Sequence, residues 1–235
     1  MIVKAVGVIC GWMMNKPALE RIHRFASADA VADAVASFVC TAAEHAIEQR
    51  GVFHWSLAGG TTPKQCYERL RDAAMDWQNV HVWFGDERCL PVGDGERNDV
   101  MADAALLQHV AIPECQIHRI PAELGAEQAA ALYAHELASI ECLDVALLGM
   151  GEDGHTASLF PHNPALQLHD LAVPVSDAPK APAHRVSMGY AALQAARQRV
   201  MMITGEGKRH AFEQVCSGAD LPVNIPDSDW YTSLS

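Results

Sequence analysis

Residues 52–70, VFHWSLAGGTTPKQCYERL, decide the fold class. Val52 to Ala58 is a short apolar run, Gly59 and Gly60 break it, and Pro63 opens a helical stretch through Leu70. The order strand, glycine loop, helix extends in both directions. Upstream, Ser27 is placed to cap a helix reaching about Arg50, because Val31, Val35, Phe38, Val39, Ala42 and Ala46 recur at helical spacing and Gly51 supplies the stop. Downstream, apolar runs at 80–84, 143–148 and 200–204 alternate with helical stretches near 99–109, 126–141 and 206–216. Strands interleaved with helices imply an α/β fold, a mostly parallel sheet covered on both faces.

The segment from Pro161 to Pro182 holds five prolines and reads as loop and short strands, a flap or an antiparallel excursion. No repeat, low-complexity tract or linker divides the chain. Residues 21–235 are therefore expected to form a single α/β domain, with residues 1–20 as a loosely attached extension.

Composition narrows the function. The 235 residues are half hydrophobic, enough for a sizeable core, and 17 Lys and Arg against 29 Asp and Glu leave a formal charge of −12. That balance argues against nucleic acid or an anionic membrane as partner, so an anionic ligand must be caught by a few local cations. Seven cysteines without a CxxC pair suggest neither a disulfide framework nor a zinc ribbon, and reduced thiols in the cytoplasm are expected. The apolar start, Ile2 to Met14, lacks a cleavage pattern, and the alanine-rich stretches carry Asp, Glu and His at helical intervals, so no membrane span is expected.

Four polar clusters each follow an apolar strand: Gly59-Gly60-Thr61-Thr62, Asp86-Glu87-Arg88, Gly149 to His155, and Thr204 to Lys208. Ligands of open α/β sheets bind at the carboxyl ends of the strands, so the four are expected to form one site. AGGTTP offers backbone N–H groups and a helix start to an anion, although Gly-Gly before a helix is more often only a tight turn. Arg88 and Lys208 add cations suited to a phosphate, Arg88 with a two-pronged contact and Lys208 as a point charge. Gly149, Gly151 and Gly154 spell GxGxxG, but Pro161 cuts off the helix a dinucleotide site needs. The loop instead presents Asp153 and His155, and histidine suits proton abstraction from water near neutral pH. HExxH and GxSxG are both lacking, and Ser158 lies on SLFP rather than on a strand-to-helix turn. Water without a metal is the expected nucleophile.

SLAGGTTPKQCYERL (56–70), VWFGDERCLP (82–91) with Asn98 behind it, LDVALLGMGEDGHTASLFP (143–161) and MMITGEGK (201–208) resemble the 6-phosphogluconolactonases, over about residues 22–208. The resemblance implies the three-layer Rossmann-like fold shared with glucosamine-6-phosphate deaminases and ribose-5-phosphate isomerases. It implies hydrolysis of a sugar-phosphate lactone in the pentose phosphate pathway without a cofactor, and leaves the oligomeric state open. His155 is then the base that activates water and Asp153 its positioning partner. Gly59, Gly60, Thr61, Arg88 and Lys208 hold the phosphate, and Asp86 organises the Arg88 loop. Arg185, in HRVSM, matches an arginine that stands before a strand in these enzymes and is assigned to the phosphate or carboxylate side, with an ion pair as the alternative. Ala58 stands where the family usually has serine, and Asp99 where a tyrosine often follows Asn98. Trp230 and Tyr231 in the tail read as a packing anchor. The rivals are an amino-sugar phosphate deaminase or isomerase, which would carry IAFNEP and DEY instead of TASLFP and DER, and a sugar-phosphate sensor without catalysis.

Overall fold

The computed structural model describes residues 21–234, and the extension expected over residues 1–20 lies outside them. Ten strands and six α-helices run through these residues. In chain order they are β1 (Ile22–Arg24), α1 (Ala28–Arg50), β2 (Phe53–Leu57), α2 (Thr61–Leu70), β3 (Val80–Phe84), β4 (Asp86–Arg88), α3 (Asn98–Ala105), β5 (Ile117–His118), α4 (Ala126–Leu137), β6 (Val145–Gly149), β7 (Ala172–Val175), β8 (Arg185–Met188), α5 (Tyr190–Ala195), β9 (Gln198–Ile203), α6 (Arg209–Cys216) and β10 (Ser228–Thr232). Seven strands form one parallel sheet in the order β1-β10-β9-β6-β2-β3-β5.

Local chemistry accounts for most boundaries. Ser27 caps α1 by accepting from the Ala30 N–H, and Gly51, at φ 78°, returns its N–H to the Ile47 carbonyl. α2 begins two residues before Pro63, which sits in the first turn, where an N–H has no helical acceptor. Among the described residues one helix, α1, is long and apolar enough by length and composition alone to cross a membrane. Its buried face, Val31, Val35, Val39 and Ala46 among others, lies in the core, and it packs on α2, β2 and β10.

Side-chain alternation places helices on both faces of the sheet. Trp55 of β2 meets Tyr67 of α2 edge-on on one face, and Trp83 of β3 meets Tyr133 of α4 on the other. Val145 to Leu148 of β6 is buried without alternation, as a central parallel strand must be. Beyond β3 the chain turns at Gly85 into a small antiparallel sheet, β4-β8-β7. The Gly85 N–H reaches the Leu57 carbonyl of the large sheet, while its own carbonyl accepts from Met188. The proline-rich segment therefore forms an antiparallel excursion, with Pro174 inside β7.

Four strands escaped the sequence reading: β1, β4, β5 and β10. β10 inserts between β1 and β9, burying Trp230, while Tyr231 stacks on Phe25 at 5.7 Å. The tail is thus an interior strand. β5 has only two residues and lies at the opposite edge of the sheet.

Candidate active site

The ends of β2, β3, β6 and β9 surround a cavity of about 320 Å³. It is lined by Gly59, Gly60 and Thr61 of the first cluster, Asp86 and Arg88 of the second, His155 of the third and Lys208 of the fourth, with Arg185 from β8. Asp153 reaches it through His155. The Thr62 and Thr204 hydroxyls are hydrogen bonded at 2.5 Å and join the first cluster to the fourth.

Gly59 is required by the space around it and Gly60 by its backbone conformation. A Cβ on Gly59 would stand 2.2 Å from Asn98 Oδ1, and Gly60 has φ 111°. Ala58, where the resembling family has serine, is buried; its N–H donates to the Tyr67 hydroxyl and its carbonyl accepts from it. That exchange holds the strand end without a hydroxyl at position 58.

Three cations line the cavity, Arg88, Arg185 and Lys208. Arg88 donates through Nη1 to the Glu96 carbonyl, while its buried Nε has no partner among the described residues. Arg185, opposite Arg88 in the β4–β8 register, donates to the carbonyls of Lys180, Ala181 and Pro182 and lies 5.5 Å over the Phe160 ring. Because these acceptors are neutral, its charge remains available to the cavity. Lys208 ends a short helical turn leading into α6; burial pulls its ammonium below the ordinary lysine range, Glu152 opposes that, and Lys180 adds to it.

The loop behind Arg88 is ordered by Glu87. Its buried carboxylate accepts the N–H groups of Arg88 and Asn98 on one oxygen and that of Asp99 on the other, at 2.7–2.8 Å. Burial pushes this carboxyl up to about 7, while the three N–H donors pull the other way. Arg97, also buried, pairs with Asp99 at 2.8 Å and with Glu123 at 3.0 Å. Asp99 therefore serves Arg97, which accounts for a carboxylate at that position. Asp86 accepts from Asn98 Nδ2 at 3.0 Å and from Ser158 Oγ at 2.5 Å. The backbone bonds that order the Arg88 loop run to Glu87 rather than to Asp86.

His155, from the loop after β6, lines the same cavity. Its Nδ1 is 2.5 Å from Asp153 Oδ1, and its backbone N–H reaches the same oxygen at 3.2 Å. With Nδ1–H donating to Asp153, the neutral imidazole presents Nε2 as a proton acceptor. Burial lowers the proton affinity of His155, whereas Asp153 and then Asp86 raise it and Lys180 lowers it, leaving the group below its ordinary value. The loop is tight: the Gly151 N–H bonds the His155 carbonyl at 2.8 Å, and a Cβ on Gly151 would stand 2.0 Å from Nδ1. Gly154, at φ 79°, packs on Leu221, and its carbonyl accepts from Val223. No helix follows β6 before Pro161, as the discounted dinucleotide motif required.

Sequence reasoning named Glu87 and Asn98 without giving them a role, weighed Ser158 only as a nucleophile, and passed over the tail residues Leu221 and Val223. The signals for the first two lay within DER and the flagged Asn98; the tail contacts had none. A fixed base, a cluster of cations and a glycine cradle around one cavity can hold a phosphorylated ligand at one end while water is deprotonated at the other.

Residues 26–230 match the family model described as glucosamine-6-phosphate isomerases/6-phosphogluconolactonase. The chain is 38% identical over 197 residues to a 6-phosphogluconolactonase of Synechocystis sp., covering 80% of this chain and 81% of that one. It is 36% identical over 220 residues to a 6-phosphogluconolactonase of Mycobacterium tuberculosis, covering 87% and 89%. The solved 6-phosphogluconolactonase of Thermotoga maritima superposes with a TM-score of 0.82 at 25% identity, covering 90% of this chain and 97% of that one. A monomeric glucosamine-6-phosphate deaminase superposes at 0.76 with 18% identity, over 90% and 96%, a likeness of fold alone.

Proposed function

The chain belongs to the glucosamine-6-phosphate isomerase/6-phosphogluconolactonase family, and on that premise we propose that it hydrolyses 6-phospho-D-glucono-1,5-lactone to 6-phospho-D-gluconate, a step of the oxidative pentose phosphate pathway. The observation that carries this reading is the division of one cavity of about 320 Å³ between His155 and the cations Arg88, Arg185 and Lys208.

Water attacks the lactone carbonyl carbon while His155 Nε2 takes its proton, so negative charge builds on the carbonyl oxygen. The ring carbon–oxygen bond then breaks, and the proton held by His155 passes to the departing ring oxygen, which becomes a hydroxyl. Asp153 holds the imidazole in the tautomer this needs and stabilises the imidazolium between the two transfers. Gly59, Gly60 and Thr61, with Arg88 and Lys208, bind the phosphate, and Arg185 adds a third cation. Binding the remote phosphate fixes the carbonyl against the base, so binding energy is converted into orientation.

The same reading takes residues 21–235 as one catalytic domain, supported by a core cluster that runs from Val31 to Leu234. A small sugar-phosphate lactone is its partner; the net charge of −12 speaks against nucleic acid and anionic membrane surfaces, and seven cysteines without a CxxC pair speak for the cytoplasm. TASLFP and DER stand where a deaminase would carry IAFNEP and DEY. The test is the rate at which purified protein opens freshly made 6-phosphogluconolactone, with spontaneous hydrolysis subtracted and a chelator present. Opening well above the blank is expected. No excess from folded protein, or ammonia release from glucosamine 6-phosphate, would overturn the reading.

A further inference from the structure

Ser158 lies three residues beyond His155, is fully buried, and does not reach the substrate cavity. Its hydroxyl donates to Asp86 Oδ2 at 2.5 Å across 72 residues of sequence, and its N–H donates to Ser187 Oγ at 3.2 Å. Ser187 is the register partner of Asp86 in the β4–β8 pair, so the third cluster is fastened to the second at two neighbouring points. The other oxygen of Asp86 accepts from Asn98 Nδ2, and Asn98 in turn stands against the bare Cα of Gly59. A continuous buried chain therefore runs from the loop of His155 through Ser158, Asp86 and Asn98 to the glycine cradle. Asp86 itself lines the cavity, 7% exposed, and both its oxygens are engaged.

We propose that Ser158 is a positioning residue of the reaction: its hydroxyl fixes the Asp86 carboxylate beside His155 and, through Asn98, sets the spacing between the base and the phosphate cradle. This rests on the lactonase reading above. The charged groups around the imidazole are Asp153 on its own loop, Asp86 on β4 and Lys180 from the turn before β8, with Arg88, Arg185 and Lys208 along the cavity. Asp153 and Asp86 both favour the protonated ring and Lys180 opposes it. Displacing Asp86 therefore alters both the geometry of attack and the pH at which His155 becomes a base.

The test uses Ser158→Ala, Asp86→Asn and the double variant in the full chain. Asp86→Asn keeps the shape and an oxygen for Asn98, and removes the charge together with the oxygen that accepts from Ser158. For Ser158→Ala, kcat is expected to fall about 10- to 100-fold with KM changed less than about threefold. For Asp86→Asn the acid limb of kcat/KM is expected to move to lower pH, because a charge that raised the proton affinity of His155 is gone. The double variant should be no slower than Asp86→Asn by more than about twofold, since Ser158 acts through Asp86. Unchanged kcat in Ser158→Ala, losses that multiply in the double variant, or an effect confined to KM would each overturn the proposal. NMR titration of the His155 imidazole in wild type and Asp86→Asn needs no turnover, so it separates failure of this coupling from failure of the lactonase reading. It also stands in if Ser158→Ala does not fold: an unmoved midpoint in folded Asp86→Asn defeats the proposal.

Discussion

Two imidazole–carboxylate pairs in this protein have nearly the same geometry and different surroundings. His155 Nδ1 meets Asp153 at 2.5 Å, and His118 Nδ1 meets Glu136 at 2.6 Å. The first pair faces a cavity shared with Arg88, Arg185 and Lys208. The second closes a stack on the flank of the sheet: His118 lies 3.8 Å from the Trp83 ring and bonds His81 at 2.9 Å, and His81 lies 4.7 Å from His54. That ring stack fastens the two-residue edge strand β5 to β3 and α4. The pair by itself is therefore no mark of a site; what it faces decides between base and buttress.

The largest expected effect separates the two pairs directly. His155→Ala should lower kcat by about 10³-fold while the protein still melts cooperatively, the loss of a general base. If activity survives, the cavity pair is no more catalytic than the flank pair. Asp153→Asn comes next, with kcat reduced about 10- to 100-fold. Asp153 raises the proton affinity of His155, so without its charge the imidazole is neutral to lower pH and the acid limb of kcat/KM should move down. A limb moving upward would show that Asp153 does not act on the base in this sense.

The flank pair should respond in stability rather than rate. His118→Ala removes ring stacking and the bond to Glu136, and should cost about 1–2 kcal/mol in denaturant unfolding with kcat/KM within twofold of wild type. A large loss of turnover would erase the distinction drawn here. The smallest effect concerns acid. His54, whose ring nitrogen accepts from Trp83 Nε1, is held down to about 4 by burial and then by His81, against Asp144. Its folded pKa lies below its unfolded value near 6.5, so the unfolded chain binds the proton first and stability falls as pH drops from 6.5 towards 4. His54→Gln should flatten that fall by about 1 kcal/mol, discounted for the partial exposure of the stack. An unchanged slope would place the acid sensitivity elsewhere.

Position within the chain explains what could be read in advance. Ser27, Gly51 and the apolar run of β6 announce themselves because caps and burial patterns are local. The four polar clusters were legible as one site because each sits at a strand's carboxyl end, where parallel topology gathers them. The role of Ser158 was missed for the opposite reason: its partner is 72 positions away, and the spacing within SLFP reveals only a buried turn. β10 was missed because the tail is rich in Asp and Pro, and its pairing with β1 and β9 joins segments from both ends of the described chain.

The alternation of the central strands with helices, the glycines that free the cradle and the residue types gathered at the strand ends were determined by sequence alone, since backbone preference and hydrophobic period act over a few residues. Which carboxylate orders the Arg88 loop and which serine ties the base to the phosphate cradle were decided only by tertiary structure. Those assignments depend on strand order and sheet crossing, which bring distant side chains within hydrogen-bond reach and leave no periodic trace along the chain.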